Sequence, residues 1–411
     1  MKKWLILFSL LIIFSLYGCE DAYRYYPVPF GTLYDLYEVR ALPTGVKEKL
    51  NLAYFSSLDI KHVEFISENE EVARVNYKEE LITLKPGKTT IKAIVYFKKD
   101  IPKTIDFGKV YVYDVNDPSF IPIRNQVDLR TLITSNPQGF YYLDSDIDLS
   151  EFPWMEPIPY FSGIFINPKN HVIMNLTITS EKSVGLFKEI NNAYIDGLIL
   201  ENVQITGKPN SLFTDTIYAG GLVGSATNSL ITNIKVTGEV TNGIYVGGIA
   251  GGLTNSYLIN SSFEGKVSKG EFTGGLVGIF SSLDYDGLIQ GKIKNVYSIV
   301  ELTGGYQGEP SRIGGLAGMI EGGLIENAYT TGTINEEENV LSHPIGHGSN
   351  RRFYLKNIYY TFDIPLNYSD SLIGYEDTLY YITIQDLTNG KELKGLESFI
   401  YTKGDYPRIK K

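Results

Sequence analysis

Cysteine is almost absent: among 411 residues only Cys19 carries a thiol. An intramolecular disulfide is therefore impossible, and zinc held by several thiolates is excluded. Histidine is nearly as scarce. His62, His171, His343 and His347 are the full set, and none stands in a His-Glu-x-x-His run, so the zinc-peptidase motif is missing. Positive charge is also short, with 37 Lys and Arg against 47 Asp and Glu. A net charge of −10 argues against nucleic acid as a partner and against adsorption to anionic lipid by charge. The apolar run from Trp4 to Tyr17 covers 14 residues, too few to span a bilayer comfortably.

That run follows Met1-Lys2-Lys3 and ends in Leu16-Tyr17-Gly18-Cys19, the layout of an export signal. The Leu-x-Gly-Cys ending resembles a bacterial lipobox. The resemblance implies a signal peptide over 1–18 and a lipid-modified Cys19 at the mature N-terminus, hence a cell-envelope protein anchored to a membrane and exposed at the surface. Residues 19–29 read as a tether.

Between 30 and 115, short alternating segments are separated by turns: Lys49–Ala53, Val63–Ser67, Ala73–Val75, Leu81–Leu84 and Thr90–Val95. Period-two alternation with Pro86-Gly87 between strands predicts a small all-β sandwich. Phe65-Ile66-Ser67-Glu68-Asn69 and on through Val72-Ala73-Arg74-Val75, then Lys85-Pro86-Gly87, resemble the bacterial immunoglobulin-like group 2 domain. That family usually has Trp at the place of Phe65. The resemblance implies a spacer or adhesion module. Asp114–Ser119 reads as a linker, and Val127–Ile133 as a helical turn or two capping the open end of a solenoid.

The solenoid announces itself by repetition. Gly220-Gly221-Leu222-Val223-Gly224, Gly247-Gly248-Ile249-Ala250-Gly251 and Gly274-Gly275-Leu276-Val277-Gly278 start 27 residues apart, and Gly314-Gly315-Leu316-Ala317-Gly318 comes after 40. Such a period means one supersecondary unit stacked on itself. Thirteen residues after the first glycine stands Asn233, Asn260 or Asn327; Asn295 plays this part after an eight-residue insertion. A worn copy, Pro344-Ile345-Gly346-His347-Gly348, is followed at thirteen by Asn357. Positions +1, +3, +5 and +7 from each Asn are apolar or small, as in Ile234, Val236, Gly238 and Val240, with charges between them. This is strand alternation in matching register. The whole chain is thus expected to be all-β, an immunoglobulin-like sandwich followed by a right-handed parallel β-helix over 120–368 and a C-terminal cap over 369–411. The asparagines should form an amide ladder, and the glycines should permit tight corners or close backbone approach.

Val246–Gly251, Ile325-Glu326-Asn327-Ala328-Tyr329, the lead-in Asp146–Leu149 with Trp154 and Phe161–Phe165, and the ending Gly404–Ile409 resemble the GLUG-motif repeat proteins. The resemblance implies bacterial surface and adhesin-like proteins, and some immunoglobulin A-cleaving zinc metallopeptidases, of which the catalytic motif is lacking here.

Other chemistry finds little footing, and no cofactor is expected. His343-x-x-x-His347 has zinc-like spacing but lies in the worn, Pro/Gly-rich copy and reads as turn residues. Asp144-x-Asp146-x-Asp148 has Leu149 and Met155 where an EF-hand wants Gly and Glu, so these read as turn carboxylates, with calcium in another loop geometry left open. Asp284, Asp286 and the Glu336–Glu338 run have no partner that sequence can place, and the 31 tyrosines read first as strand formers. Extra residues around 208–218, 304–312 and 335–341 should leave one edge of the solenoid as stacked loops. Non-catalytic binding of a glycan or an extracellular protein through these loops is the expectation. Polysaccharide cleavage on the same scaffold, or a place in a larger surface complex, are the alternatives.

Overall fold

Alternating side chains make strands, and in a chain that repeats every 27 residues the strands of successive turns fall beside one another. The computed structural model describes residues 38–50, 60–98, 101–151, 154, 156–208, 216–282, 284–285, 288–305, 310–335, 340–349, 353–364 and 378–410. Cys19, the signal segment, the tether, Asp286 and Glu336–Glu338 lie outside these residues, as do the central parts of the three long loops.

The N-terminal unit has two sheets. β1 (Glu38–Pro43) pairs in parallel with β7 (Lys103–Tyr113), which pairs antiparallel with β6 (Gly87–Phe97), and β6 with β3 (Ile60–Ser67). β2 (Lys47–Lys49), β5 (Glu80–Thr83) and β4 (Ala73–Val75) form the second sheet. Between them lies a core of Val72, Leu81, Ile91, Ala93, Val95, Phe107, Val110 and Val112, with the Phe65 ring edge-on to Phe107 at 5.0 Å.

The linker Asp114–Ser119 enters the solenoid through Phe120–Ile123, which pairs with Phe140–Leu143. Between these strands stands helix α1 (Gln126–Ser135), where Asn125 caps the Asp128 N–H and Leu129 and Ile133 are buried in the solenoid core. This covers the open first rung.

From there each rung has three faces. In one unit they are Leu230–Thr232, Lys235–Gly247 and Ala250–Thr254, each hydrogen-bonded in parallel to the unit after it. Inward side chains stack in columns, such as Ile231–Leu258–Ile293–Ile325–Leu355 and Ala226–Leu253–Phe280–Ile320. All belong to one continuous buried core. The insertion in the third copy is a small hairpin, Asp284–Tyr285 against Leu288–Ile289.

Two kinds of corner hold this geometry, and they use different residues for different reasons. Asn233, Asn260, Asn295, Asn327 and Asn357 turn the chain in the left-handed region, with φ between 50° and 56°. Each side-chain amide donates to the asparagine one rung earlier, at 3.3, 3.1, 3.2 and 2.9 Å, and Asn233 donates to Asp196 at 2.6 Å. Gly197 holds the corresponding corner one rung before, at φ 74°.

None of the twelve motif glycines has a left-handed φ. Their constraint is close approach. A Cβ on Gly224, Gly251, Gly278 or Gly318 would stand 2.5 to 2.7 Å from backbone atoms of a neighbouring rung. The middle glycines make room for inward side chains, the Phe263 ring against Gly248 and Ser298 against Gly275.

The worn copy is shifted by one residue from its sequence alignment. His343, not Pro344, pairs with Gly314, and a one-residue deletion then brings His347 beside Met319. A bulge at Asn202 likewise absorbs one of the extra residues before Gly220.

An Ala at a left-handed corner costs roughly 1–2 kcal/mol in backbone energy, and a lost ladder bond about 1 kcal/mol. Asn260 donates to Asn233 and accepts from Asn295, so Asn260→Gly, which keeps the turn but loses both bonds, is expected to cost about 2 kcal/mol and Asn260→Ala about 3–4 kcal/mol, measured by guanidinium unfolding.

Candidate binding surface

Outward positions also stack into columns, and three of these are aromatic. The first runs Phe120–Phe140–Ile164–Tyr194–Leu230–Tyr257 and then turns charged at Lys292. The N-terminal sandwich lies against it. Tyr111 and Tyr113 of β7 meet the Tyr194 ring at 5.5 and 6.1 Å, and Val39 and Ala41 of β1 pack beside them. The column becomes polar where the apolar cover ends.

The second column is Tyr297–Tyr329–Tyr359–Tyr380. Strand alternation alone would leave these rings in solvent, yet Tyr297, Tyr329 and Tyr359 are buried. The C-terminal segment does more than cap the end. Leu379–Tyr381 adds one more strand, and helix α2 (Ile384–Leu387) and the chain to Ile409 then fold over the column. Tyr329 Oη donates to the Pro407 carbonyl at 2.6 Å and Tyr359 Oη to that of Lys394 at 3.0 Å. Arg408 pairs with Glu264 and donates to Tyr297 Oη at 2.8 Å.

The third column is Tyr218–Tyr245–Phe272–Arg312–Leu341. Its rings stack at 5.1 Å centroid separations, and the Arg312 guanidinium lies 5.3 Å above Phe272. Ring faces are used up by this stacking, so the column presents edges and phenol groups. Among the described residues neither terminal module covers it: Tyr218 and Tyr245 are half-buried, and Leu341 is 50% exposed. Burial, with Glu321 nearby, raises the pKa of both tyrosines. Just before the column, two rungs connect through three residues each, 242–244 and 269–271. The other connections, 207–217, 304–311 and 336–340, are longer and leave the same edge.

A concavity of about 570 Å³ lies between the sandwich and the first rungs. It is bordered by a second left-handed corner that the glycine motif does not mark: Asn192, Asn228 and Asn255, at φ 54°, 50° and 48°, stand five residues before Gly197, Asn233 and Asn260, and the first two line the cleft. That fixed offset was the available signal. Lys88 Nζ donates to the carbonyls of Ser162 and Asn192 at 2.7 and 3.1 Å, and Lys109 Nζ to that of Asn228 at 3.1 Å. Burial lowers the pKa of both lysines, and the Lys88 charge helps bring Lys109 to about 8. Asn192 Oδ1 is buried without a hydrogen bond.

The other candidates separate. Asp144 pairs with Arg124 and Lys169, Asp146 takes the Val172 N–H and His171, and Asp148 takes Asn175 and the Ser150 N–H. Each carboxylate serves a different turn. His62 stacks on Tyr96. His343 and His347 are both buried, 5.8 Å apart between ring centres. His343 Nδ1 accepts the N–H groups of Ile345 and Gly346, and His347 Nε2 lies 3.1 and 3.0 Å from the carbonyls of Ile313 and Leu341. Among the described residues no three His, Cys, Asp or Glu side chains are grouped to hold a metal, and no helix is long and apolar enough to cross a membrane. The side chain of Asp284 lies outside the description.

With this geometry in hand, the family profile of the GLUG motif matches residues 215–241, the segment from the third column through the glycine corner to Asn233 and beyond. The chain thus carries a GLUG motif on a parallel β-solenoid. No curated protein matches it. Among solved structures, a protein of Bacteroides ovatus provisionally named an immunoglobulin A1 protease is 18% identical with a TM-score of 0.48, over 72% of this chain and 93% of that one. A structure described as IgA1 protease is 15% identical with a TM-score of 0.43, over 83% of this chain and 29% of the other. Likenesses this distant carry nothing across to this chain.

The His343 environment makes a pH prediction. Burial, with His347 beside it, depresses the His343 pKa to about 3, while the unfolded chain binds a proton near 6.5. Its contribution to stability is complete above pH 6.5 and declines as pH falls toward 3. Between pH 7 and pH 5 it should cost about 2 kcal/mol. His343→Asn, which keeps an acceptor for the two N–H groups without a titrating ring, should flatten that part of the unfolding profile.

Proposed function

We propose that this is a bacterial cell-surface protein, held to a membrane by lipid on Cys19, that binds a glycan or an extracellular protein without chemically altering it. Its sandwich serves as an immunoglobulin-like module of the bacterial group 2 kind, and the ligand meets the solenoid at the edge carrying the loops around 208–218, 304–312 and 335–341.

One observation carries this reading. Of three outward aromatic columns, two are covered by the chain's own terminal modules, and the one left half-exposed is the one beside the long loops. Loops on one edge of a rigid stack add contacts whose spacing is fixed in advance, which lowers the ordering cost of binding. The GLUG motif at 215–241, which begins beside this edge, supports a surface role. A lipid anchor would multiply weak contacts by holding many copies together.

The test uses residues 20–411 on arrays of glycans and extracellular-matrix proteins, with the same panel assayed for released fragments. Saturable binding without product is expected. Loss of a phenol hydrogen bond to the ligand is worth about 1 kcal/mol, so Tyr245→Ala combined with trimming of 208–218 should weaken binding at least fivefold while the thermal transition persists. Released oligosaccharide or peptide would sink the reading and make the solenoid an enzyme.

A further inference from the structure

The cleft between sandwich and solenoid has walls that are chemically one-sided. Among the described residues every one that lines it is polar, and Tyr160 is the one aromatic. The one carboxylate there among the described residues, Glu68, is already paired with Lys92 at 2.6 Å. Lys88 and Lys109 are bonded only to backbone carbonyls, which carry no net charge. Each ammonium has three N–H groups. Three bonds are made, so three N–H groups remain across the pair. A protein with a net charge of −10 therefore keeps two partly desolvated cations side by side with no direct ion pair among the described residues, Asp106 and Glu68 attracting Lys109 only from a distance.

The facing wall supplies complementary groups. The side chains of Gln138 and Asn191 and the Tyr160 phenol line the cleft and make no hydrogen bonds among the described residues. Free amides suit hydroxyls, because each offers both donor and acceptor. A pocket for an apolar ligand would be lined by aliphatic and aromatic side chains, which this one lacks, while its 570 Å³ falls within the usual range for small-ligand sites. A monatomic or tetrahedral anion would use the lysines and leave the amides idle.

We propose that this cleft binds an acidic saccharide, with its carboxylate on Lys88 and Lys109, its hydroxyls on Gln138 and Asn191, and a ring face against Tyr160. The site is separate from the loop edge and stands or falls independently of it. Because the two walls belong to different modules, an occupant would also bind the sandwich to the solenoid.

Isothermal titration of residues 20–411 with digalacturonate, the neutral disaccharide galactobiose and inorganic sulfate tests this. Digalacturonate should bind saturably and galactobiose should not. A hydrogen bond to a charged group is worth about 1.5–3 kcal/mol and a neutral one about 1 kcal/mol. Lys109→Gln should therefore weaken digalacturonate at least tenfold and Gln138→Ala about threefold to fivefold. Gln138 is exposed, so its replacement leaves the fold intact even if loss of Lys109 loosens the interface. Tyr245→Ala, at the loop edge, should change nothing here. The proposal is overturned if digalacturonate gives no heat, if galactobiose binds as well, or if sulfate matches digalacturonate and Gln138→Ala is without effect.

Discussion

A methyl group at any of the four glycine corners would stand inside the van der Waals shell of a neighbouring rung, and the rest of the structure depends on its absence there. Hydrogen-bonded strands need a fixed spacing, and the buried glycines Gly224, Gly251, Gly278 and Gly318 are where the backbone of one face meets that of another within it. With that approach secured, inward columns align, the asparagine corners fall one above another, and each amide finds the next. Conformational freedom, the usual reason for glycine, has no part in these positions. The left-handed turns are given to asparagine, which tolerates them and adds a hydrogen bond in the same stroke.

Outward columns explain how three units become one molecule. Repetition puts like residues above one another outside as well as inside, so an apolar outward position becomes an apolar stripe. The protein covers the Tyr194 stripe with its sandwich and the Tyr297–Tyr329–Tyr359 stripe with its C-terminal segment. Lysines then tie the sandwich to carbonyls at the corner beside the first stripe. In the folded chain the N-terminal sandwich packs against the side of the solenoid.

The repeat, the inward alternation and the asparagine positions were legible because they reflect contacts between neighbouring rungs, and such contacts recur at the sequence period. Contacts that occur once leave no periodic trace. Tyr297 looks like any solvated strand tyrosine until Arg408, 111 residues away, is seen beside it. The same holds for Lys88 and Asn192, separated by 104 residues. The corner at His343 was hidden because one residue is lost before His347 and two are gained between Gly348 and Phe353, so the thirteen-residue spacing to Asn357 points to Pro344 instead. The Asn192–Asn228–Asn255 corner could have been found, since its offset from the other corner is constant through those rungs.

The asparagine ladder has a direction. Every amide donates toward the N-terminal end, where Asp196 receives the last proton, and a shorter ladder, Asn202 to Asn175 to Asp148, ends on a carboxylate in the same way. A carboxylate accepts without donating, so it can finish a chain of donors but cannot pass one on. Any interior rung, by contrast, receives from one neighbour and gives to the other, and is replaceable by a copy of itself. Duplication or loss of a unit in the middle leaves every bond type unchanged, so a gene for such a solenoid can lengthen or shorten by whole turns while its two ends stay as they are.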